Sequence, residues 1–128
     1  METGPNKQQR DTAPARSNVV KVLHWGDTPP QVICLCGASR FRSEFMSASR
    51  AFSLAGHVVV MPGVFDQPGS GFLDEETKRK LNDLQLKKID MADVVYVINP
   101  NGYISEATKR EVEYAQSLNK IIRYYEPK

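Results

Sequence analysis

The sequence predicts a small, doubly wound α/β fold: three layers, with helices on both faces of a four- to five-stranded, mainly parallel sheet. Three observations predict it. Short apolar runs of strand length alternate with segments whose apolar residues recur at helical spacing. Within those runs apolar residues follow one another without a polar alternation, as in strands covered on both faces. Gly37, Pro62 and Asn99 then stop the first three runs, each just before a turn.

The elements follow in order. Residues 1–18 contain three apolar side chains, Met1, Ala13 and Ala15, too few to offset the cost of ordering, so a disordered tail is expected there and a single domain over 19–128. Val19–Trp25 reads as an edge strand or a packing arm. Gln31–Gly37 is the first buried strand. From Arg40 to Ala55 a helix is expected, with Phe41, Phe45, Ala48, Phe52 and Ala55 on one face and Gly56 as its C-terminal cap. His57–Met61 reads as a second buried strand. Residues 62–73, with two prolines and three glycines, form a loop long enough for a lid or binding loop. A helix over Asp74–Met91 is expected to turn Leu81, Leu84 and Met91 inward. Asp93–Ile98 is the third strand, Asn99–Gly102 a turn, Ser105–Leu118 a helix and Lys120–Tyr125 the fourth strand. Right-handed crossovers then give a flavodoxin- or Rossmann-like sheet, in which ligands bind outside the carboxyl ends of the strands where strand order reverses.

Composition excludes several function classes. Seventeen basic against fifteen acidic residues leave no field for a nucleic acid polymer. No apolar run approaches the ~20 residues of a membrane span, and the N-terminus lacks the apolar core of a signal peptide, so a cytoplasmic protein is expected. Two cysteines, Cys34 and Cys36, fall on one face of a strand and read as buried reduced thiols. With two histidines and no further cysteine pair, no metal site and no cofactor are expected.

Three features carry chemistry. Glu111 falls in the middle of the stripe Ile104, Ala107, Thr108, Glu111, Ala115 and Leu118 that should face the sheet, and a carboxylate there is costly unless it is paired or used. Cys36-Gly-Ala-Ser-Arg40 is a glycine turn from strand to helix. Backbone N–H groups at Gly37 and Ser39 with the Arg40 guanidinium would hold an anion, although an ordinary turn with a surface arginine reads the same way. Ser105 suits the N-cap of the last helix, and its hydroxyl with the free amides of that turn would also hold phosphate.

These residues resemble the nucleoside 2-deoxyribosyltransferase superfamily. The resemblance rests on Cys36-Gly-Ala-Ser-Arg40, on Ile89-Asp-Met-Ala-Asp-Val-Val95, and on Ser105 with Glu111 six positions later and Ala115–Lys120 before a final strand. It spans about residues 31–125 and is nearest to the branch that hydrolyses (deoxy)nucleoside 5′-monophosphates. It implies Glu111 as the nucleophile on C1′, a covalent glycosyl intermediate, and a small-molecule nucleotide substrate. Serine at 105, where branches acting on unphosphorylated nucleosides carry aspartate, implies a phosphate beside it, and Arg40 matches a phosphate-binding arginine. Two positions depart from the pattern. The aspartate that assists the leaving base falls at Gln85, which can hydrogen-bond but cannot act as an acid, and a tyrosine of the first strand falls at Cys34. A slow enzyme leaning on Asp90 or Asp83, or a non-catalytic nucleotide-binding module, is the alternative; Asp90 and Asp93 also suit structural roles at the helix–strand junction. Phe65, Phe72 and Asp66 on the long loop could contact the base, or the two phenylalanines could form a hydrophobic plug. About 110 folded residues are few for an enclosed site. Relatives in the family complete each site from a neighbouring subunit, so a homodimer or larger oligomer is expected, closing through 62–73 or Val19–Trp25.

Overall fold

The computed structural model describes residues 29–65 and 73–127. Four strands, β1 (Val32–Gly37), β2 (Val58–Val60), β3 (Val94–Ile98) and β4 (Ile121–Tyr124), form one sheet in the order β2-β1-β3-β4, and every pairing is parallel. Three helices connect them: α1 (Arg42–Leu54), α2 (Glu75–Met91) and α3 (Glu106–Ser117). The doubly wound α/β fold is therefore present. The expectations for residues 1–18, for Val19–Trp25 and for the loop tip 66–72 lie outside the described residues.

Strand order dictates which helix covers which face. The β1-to-β2 crossover moves one way along the sheet, whereas β2-to-β3 and β3-to-β4 move the other way, and crossovers of one hand then fall on opposite faces. Accordingly Ile33 and Leu35 of β1 and Val94, Tyr96 and Ile98 of β3 pack with Phe45, Ala48 and Phe52 of α1. The alternate residues Cys34, Cys36, Val95 and Val97 pack with Ile89 of α2 and Val112 and Ala115 of α3. Strand order reverses between β1 and β3, whose carboxyl ends lie side by side with Gly37 opposite Ile98. A Cβ on Gly37 would stand 2.9 Å from both the Cβ and the carbonyl oxygen of Ile98, so only glycine fits this close approach.

Local chemistry fixes the helix ends. Asp74 caps α2 by accepting from the Thr77 N–H at 2.8 Å, and Ser105 caps α3 by accepting from the Thr108 N–H at 3.2 Å. Short 3-10 turns at Ser39–Phe41 and Pro100–Gly102 lead out of β1 and β3. Helix α1 ends at Gly56 with φ +95°, and His57 N–H bonds the Phe52 carbonyl at 3.0 Å. Asn119, with φ 58°, ends α3 in the same way. Asp90 and Asp93 take structural roles at the junction: Asp93 Oδ2 accepts from the Val32 N–H at 2.8 Å, and Asp90 accepts from the Tyr114 hydroxyl.

Three expectations are corrected. Strand β2 is not buried: among the described strands it stands at the edge of the sheet, and Val58 is 54% exposed. In α2, Gln85 and Ile89 form the inward face; Met91 is 62% exposed, and Leu84, 48% exposed, lies at the cleft beside α2 rather than in the core. In α3 the buried stripe is Thr108, Val112 and Ala115; Leu118 is exposed and Glu111 sits at the stripe's edge rather than in its middle.

Candidate functional site

A cavity of about 660 Å³ opens between α2 and α3 beyond the carboxyl end of β1, within the size range of small-molecule sites. The glycine turn supplies Gly37, Ala38 and Ser39. Pro62, Gly63 and Val64 after β2 form one wall with Leu73, and α2 contributes Lys78, Leu81, Asn82, Leu84, Gln85 and Lys88. Opposite them, α3 presents Ser105, Ala107, Thr108 and Glu111.

Glu111 is half-buried at the inner wall of this cavity. Burial, which penalises the charged form, pushes its carboxyl up from the ordinary 4.5 to about 7; a hydrogen bond from the Cys36 thiol and the charge of Arg110 oppose that rise. The carboxylate is thus poised to change charge near neutrality. Gln85 lines the same cavity, and its Nε2 donates to the Leu35 carbonyl at 3.1 Å and leans on Cys36 Sγ at 3.4 Å and Cys34 Sγ at 3.6 Å. That amide is clamped onto β1, and as an amide it supplies hydrogen bonds but no titratable proton. Both cysteines are buried free thiols.

At the start of α3, Ser105 Oγ bonds Thr108 Oγ1 at 3.0 Å as well as capping the helix. Two short stretches of backbone, Gly37–Ser39 and the first turn of α3, face the same space as Glu111. Lys88 Nζ donates to the Met61 carbonyl at 2.9 Å and ties α2 to the end of β2, which holds the wall in place.

Of the residues singled out in the sequence, Gly37, Ser39, Gln85, Ser105 and Glu111 line one cavity. Arg40 is not among the lining residues: its guanidinium lies 4.2 Å over the Tyr103 ring and 5.2 Å from Phe41. Phe65 also stands elsewhere, packed edge-to-face on Phe45 at 5.0 Å in the α1 layer. Asp66 and Phe72 lie outside the described residues. Sequence reasoning missed Lys78, Asn82 and Lys88. Their spacing with Leu81 and Gln85 on one side of α2 is the available signal, hidden by reading the helix from its leucines and Met91 alone. Among the described residues no cluster of histidine, cysteine and carboxylate side chains could hold a metal ion, and no helix is long and apolar enough to cross a membrane.

No protein-family model matches the chain, and no curated protein is a significant match. Among solved structures, a 2-desoxiribosyltransferase from Leishmania mexicana is similar in fold, with a TM-score of 0.55 and 16% sequence identity. The match covers 74% of this chain and 63% of that one, so the present chain spans under two thirds of that protein's length. At this identity the likeness shows the shared doubly wound α/β fold.

Proposed function

We propose that this protein cleaves or transfers at the N-glycosidic bond of a (deoxy)nucleoside 5′-monophosphate, with Glu111 as the nucleophile. The observation that carries the reading is the convergence of a half-buried carboxylate with two helix-entry turns on one cavity. Fold likeness to an enzyme named for deoxyribosyl transfer supports it. A carboxylate oxygen of Glu111 attacks C1′ as the bond from C1′ to the base nitrogen breaks, passing through an oxocarbenium-like transition state to a glycosyl ester. The electron pair leaves with the base, which takes a proton from water because Gln85 has none to give. Water or a second base then attacks C1′ and frees Glu111. Phosphate is held by the amides of the Gly37–Ser39 turn and by Ser105 at the start of α3. Arg40, next in the same turn, joins it by swinging off Tyr103. Gln85 and Asn82 face the base, and Phe65 is not assigned to it. A neighbouring copy of the chain completes the wall of the cavity, so light scattering should report a homodimer or larger oligomer.

The test is a panel of ribo- and deoxyribonucleoside monophosphates, modified bases included, scored for free base by chromatography. Release by wild type that falls at least ~1,000-fold in Glu111→Gln supports the reading. Equal rates in both proteins, or no release from any member of the panel, would remove it. Because the nucleophile must be ionised, kcat/KM should rise with pH through an acid limb near the raised carboxyl value of about 7. The clamped Gln85 amide favours one second reading, a nucleotide-binding module without turnover. It predicts that monophosphates raise Tm in wild type, less so in Arg40→Ala, with no base released.

A further inference from the structure

The cavity that holds Glu111 is chemically uneven. Gly37, Ser39, Ser105, Thr108 and Glu111 line it from the β1 turn and α3, whereas Pro62, Val64, Leu73, Leu81 and Leu84 line it from α2 and the segments on either side of 66–72. Leu81 and Leu84, three residues apart, are neighbours on the surface of α2. Val64 is 44% and Leu84 48% exposed, so this wall leaves apolar surface open to water at the cleft.

Polar groups on that side are few, and several are committed. Gln85 Nε2 has two hydrogens and spends them on β1, on the Leu35 carbonyl at 3.1 Å and on the thiol sulfurs. Lys88 Nζ donates to the Met61 carbonyl at 2.9 Å, and Lys78 pairs with Glu75 at 3.6 Å in the first turn of α2. Asn82 and the oxygen of the Gln85 amide are left to meet the polar edge of a base, beside five apolar side chains. An unsubstituted purine or pyrimidine carries hydrogen-bonding groups around its rim, and each one set against a leucine is left unpaired at a cost. An alkyl group in the same place gains about fourfold in affinity for every methylene it buries. We propose that this wall is a specificity subsite: the substrate is a nucleoside monophosphate whose base carries an alkyl or aryl substituent, seated on Val64, Leu81 and Leu84. This rests on the reading of the cavity as a nucleotide site with Glu111 at C1′.

The test measures Kd by calorimetry for two series of monophosphates, adenosine substituted on the exocyclic nitrogen and deoxyuridine substituted on carbon 5, each with hydrogen, methyl, ethyl and butyl. In at least one series affinity should rise about fourfold per methylene in wild type. The increment should shrink below about twofold in Leu84→Asn and persist in Met91→Asn, which changes an exposed apolar residue of α2 outside the cavity. Flat affinities in both series overturn the proposal, and free base from the unsubstituted members then leaves the proposed reaction standing. The stated increments without release of base from any member support the subsite and remove the reaction instead. No binding by any member overturns both. An increment that persists in Leu84→Asn while light scattering shows an oligomer splitting assigns the leucines to an interface between copies and overturns the proposal. Should Leu84→Asn fail to fold, wild type with the butyl ligands decides: nuclear Overhauser contacts from the butyl group to leucine and valine methyls of this wall support the subsite, and a butyl group without them overturns it.

Discussion

The two faces of the sheet are built from the same strands and serve different ends. Beneath α1, Ile33, Leu35, Phe45, Phe52, Tyr96 and Ile98 are completely or almost completely buried, and Phe52 meets Tyr96 edge-to-face at 5.0 Å. Beneath α2 and α3 the strands present smaller side chains, Cys34, Cys36, Val95 and Val97, and the helices bring in Gln85, Thr108 and Glu111. The first face is filled by large rings and branched aliphatics. On the second, the room left by small thiols and valines admits an amide, a hydroxyl and a carboxylate, and the helices part at the strand ends to make the cavity. A parallel sheet buried on both sides thus assigns dense packing to one layer and a polar-lined cavity to the other, with the alternation of β1 and β3 separating them residue by residue.

Mutations in the two layers should break in different ways. The largest effect on stability is expected beneath α1. Phe52→Ala should cost about 3–5 kcal/mol, read as a lower denaturation midpoint, while the Glu111 titration in the remaining folded protein stays where it was. A shifted Glu111 titration in that variant would show that the two layers are coupled and would blur the comparison.

On the other face the sign can reverse. Glu111 titrates near 4.5 when unfolded and near 7 when folded, so the native state holds its proton more tightly. Its contribution to stability is fully present below pH 4.5 and is lost as pH rises through 7. Glu111→Gln, which resembles the protonated form, should match wild type at pH 4 and exceed it at pH 8 by up to about 3 kcal/mol. Chemical denaturation at the two pH values checks this; an equal or lower stability of the variant at pH 8 would mean that the carboxylate is paired rather than strained.

The smallest effect concerns Ser105, which belongs to both stability and site. Ser105→Ala should lose the α3 cap and about 1 kcal/mol. Ser105→Asp keeps a capping oxygen and so should keep most of that stability, yet it places a negative charge where phosphate is proposed to bind. Thermal shifts with monophosphates should therefore fall in Ser105→Asp while the unliganded Tm stays within a few degrees of wild type. Retained monophosphate binding in the aspartate variant would move the phosphate away from α3.

Much of this division was legible in the sequence. Helical spacing of Phe45, Ala48 and Phe52 located α1 and its buried face, the apolar runs located the strands, and a carboxylate among apolar positions of α3 pointed to Glu111. What failed depended on partners distant in the chain. Gln85 is buried because a strand carbonyl and two thiols some fifty residues earlier receive its amide, and no local pattern announces such an arrangement. Leu84 and Met91 were read inward on hydrophobicity alone, but the register of α2 is set by Gln85 and Ile89. Strand β2 is apolar and still exposed because its place at the edge follows from strand order. Arg40 was read from its turn, whereas its aromatic partner Tyr103 comes from the turn after β3.

The position of β1 also sets an order of assembly. As the first strand of the sheet it can pair with β2 soon after synthesis, but its other edge, along Ile33–Gly37, waits for Val94–Ile98. Non-local parallel pairing of this sort forms slowly, since a long loop must close before its contacts stabilise the chain. Until α2 and α3 dock, the side of β1 that carries Cys34 and Cys36 has no cover, and both thiols are open to oxidants that cannot reach them in the finished protein. The yield of refolded protein should consequently depend on a reductant that the native state does not need.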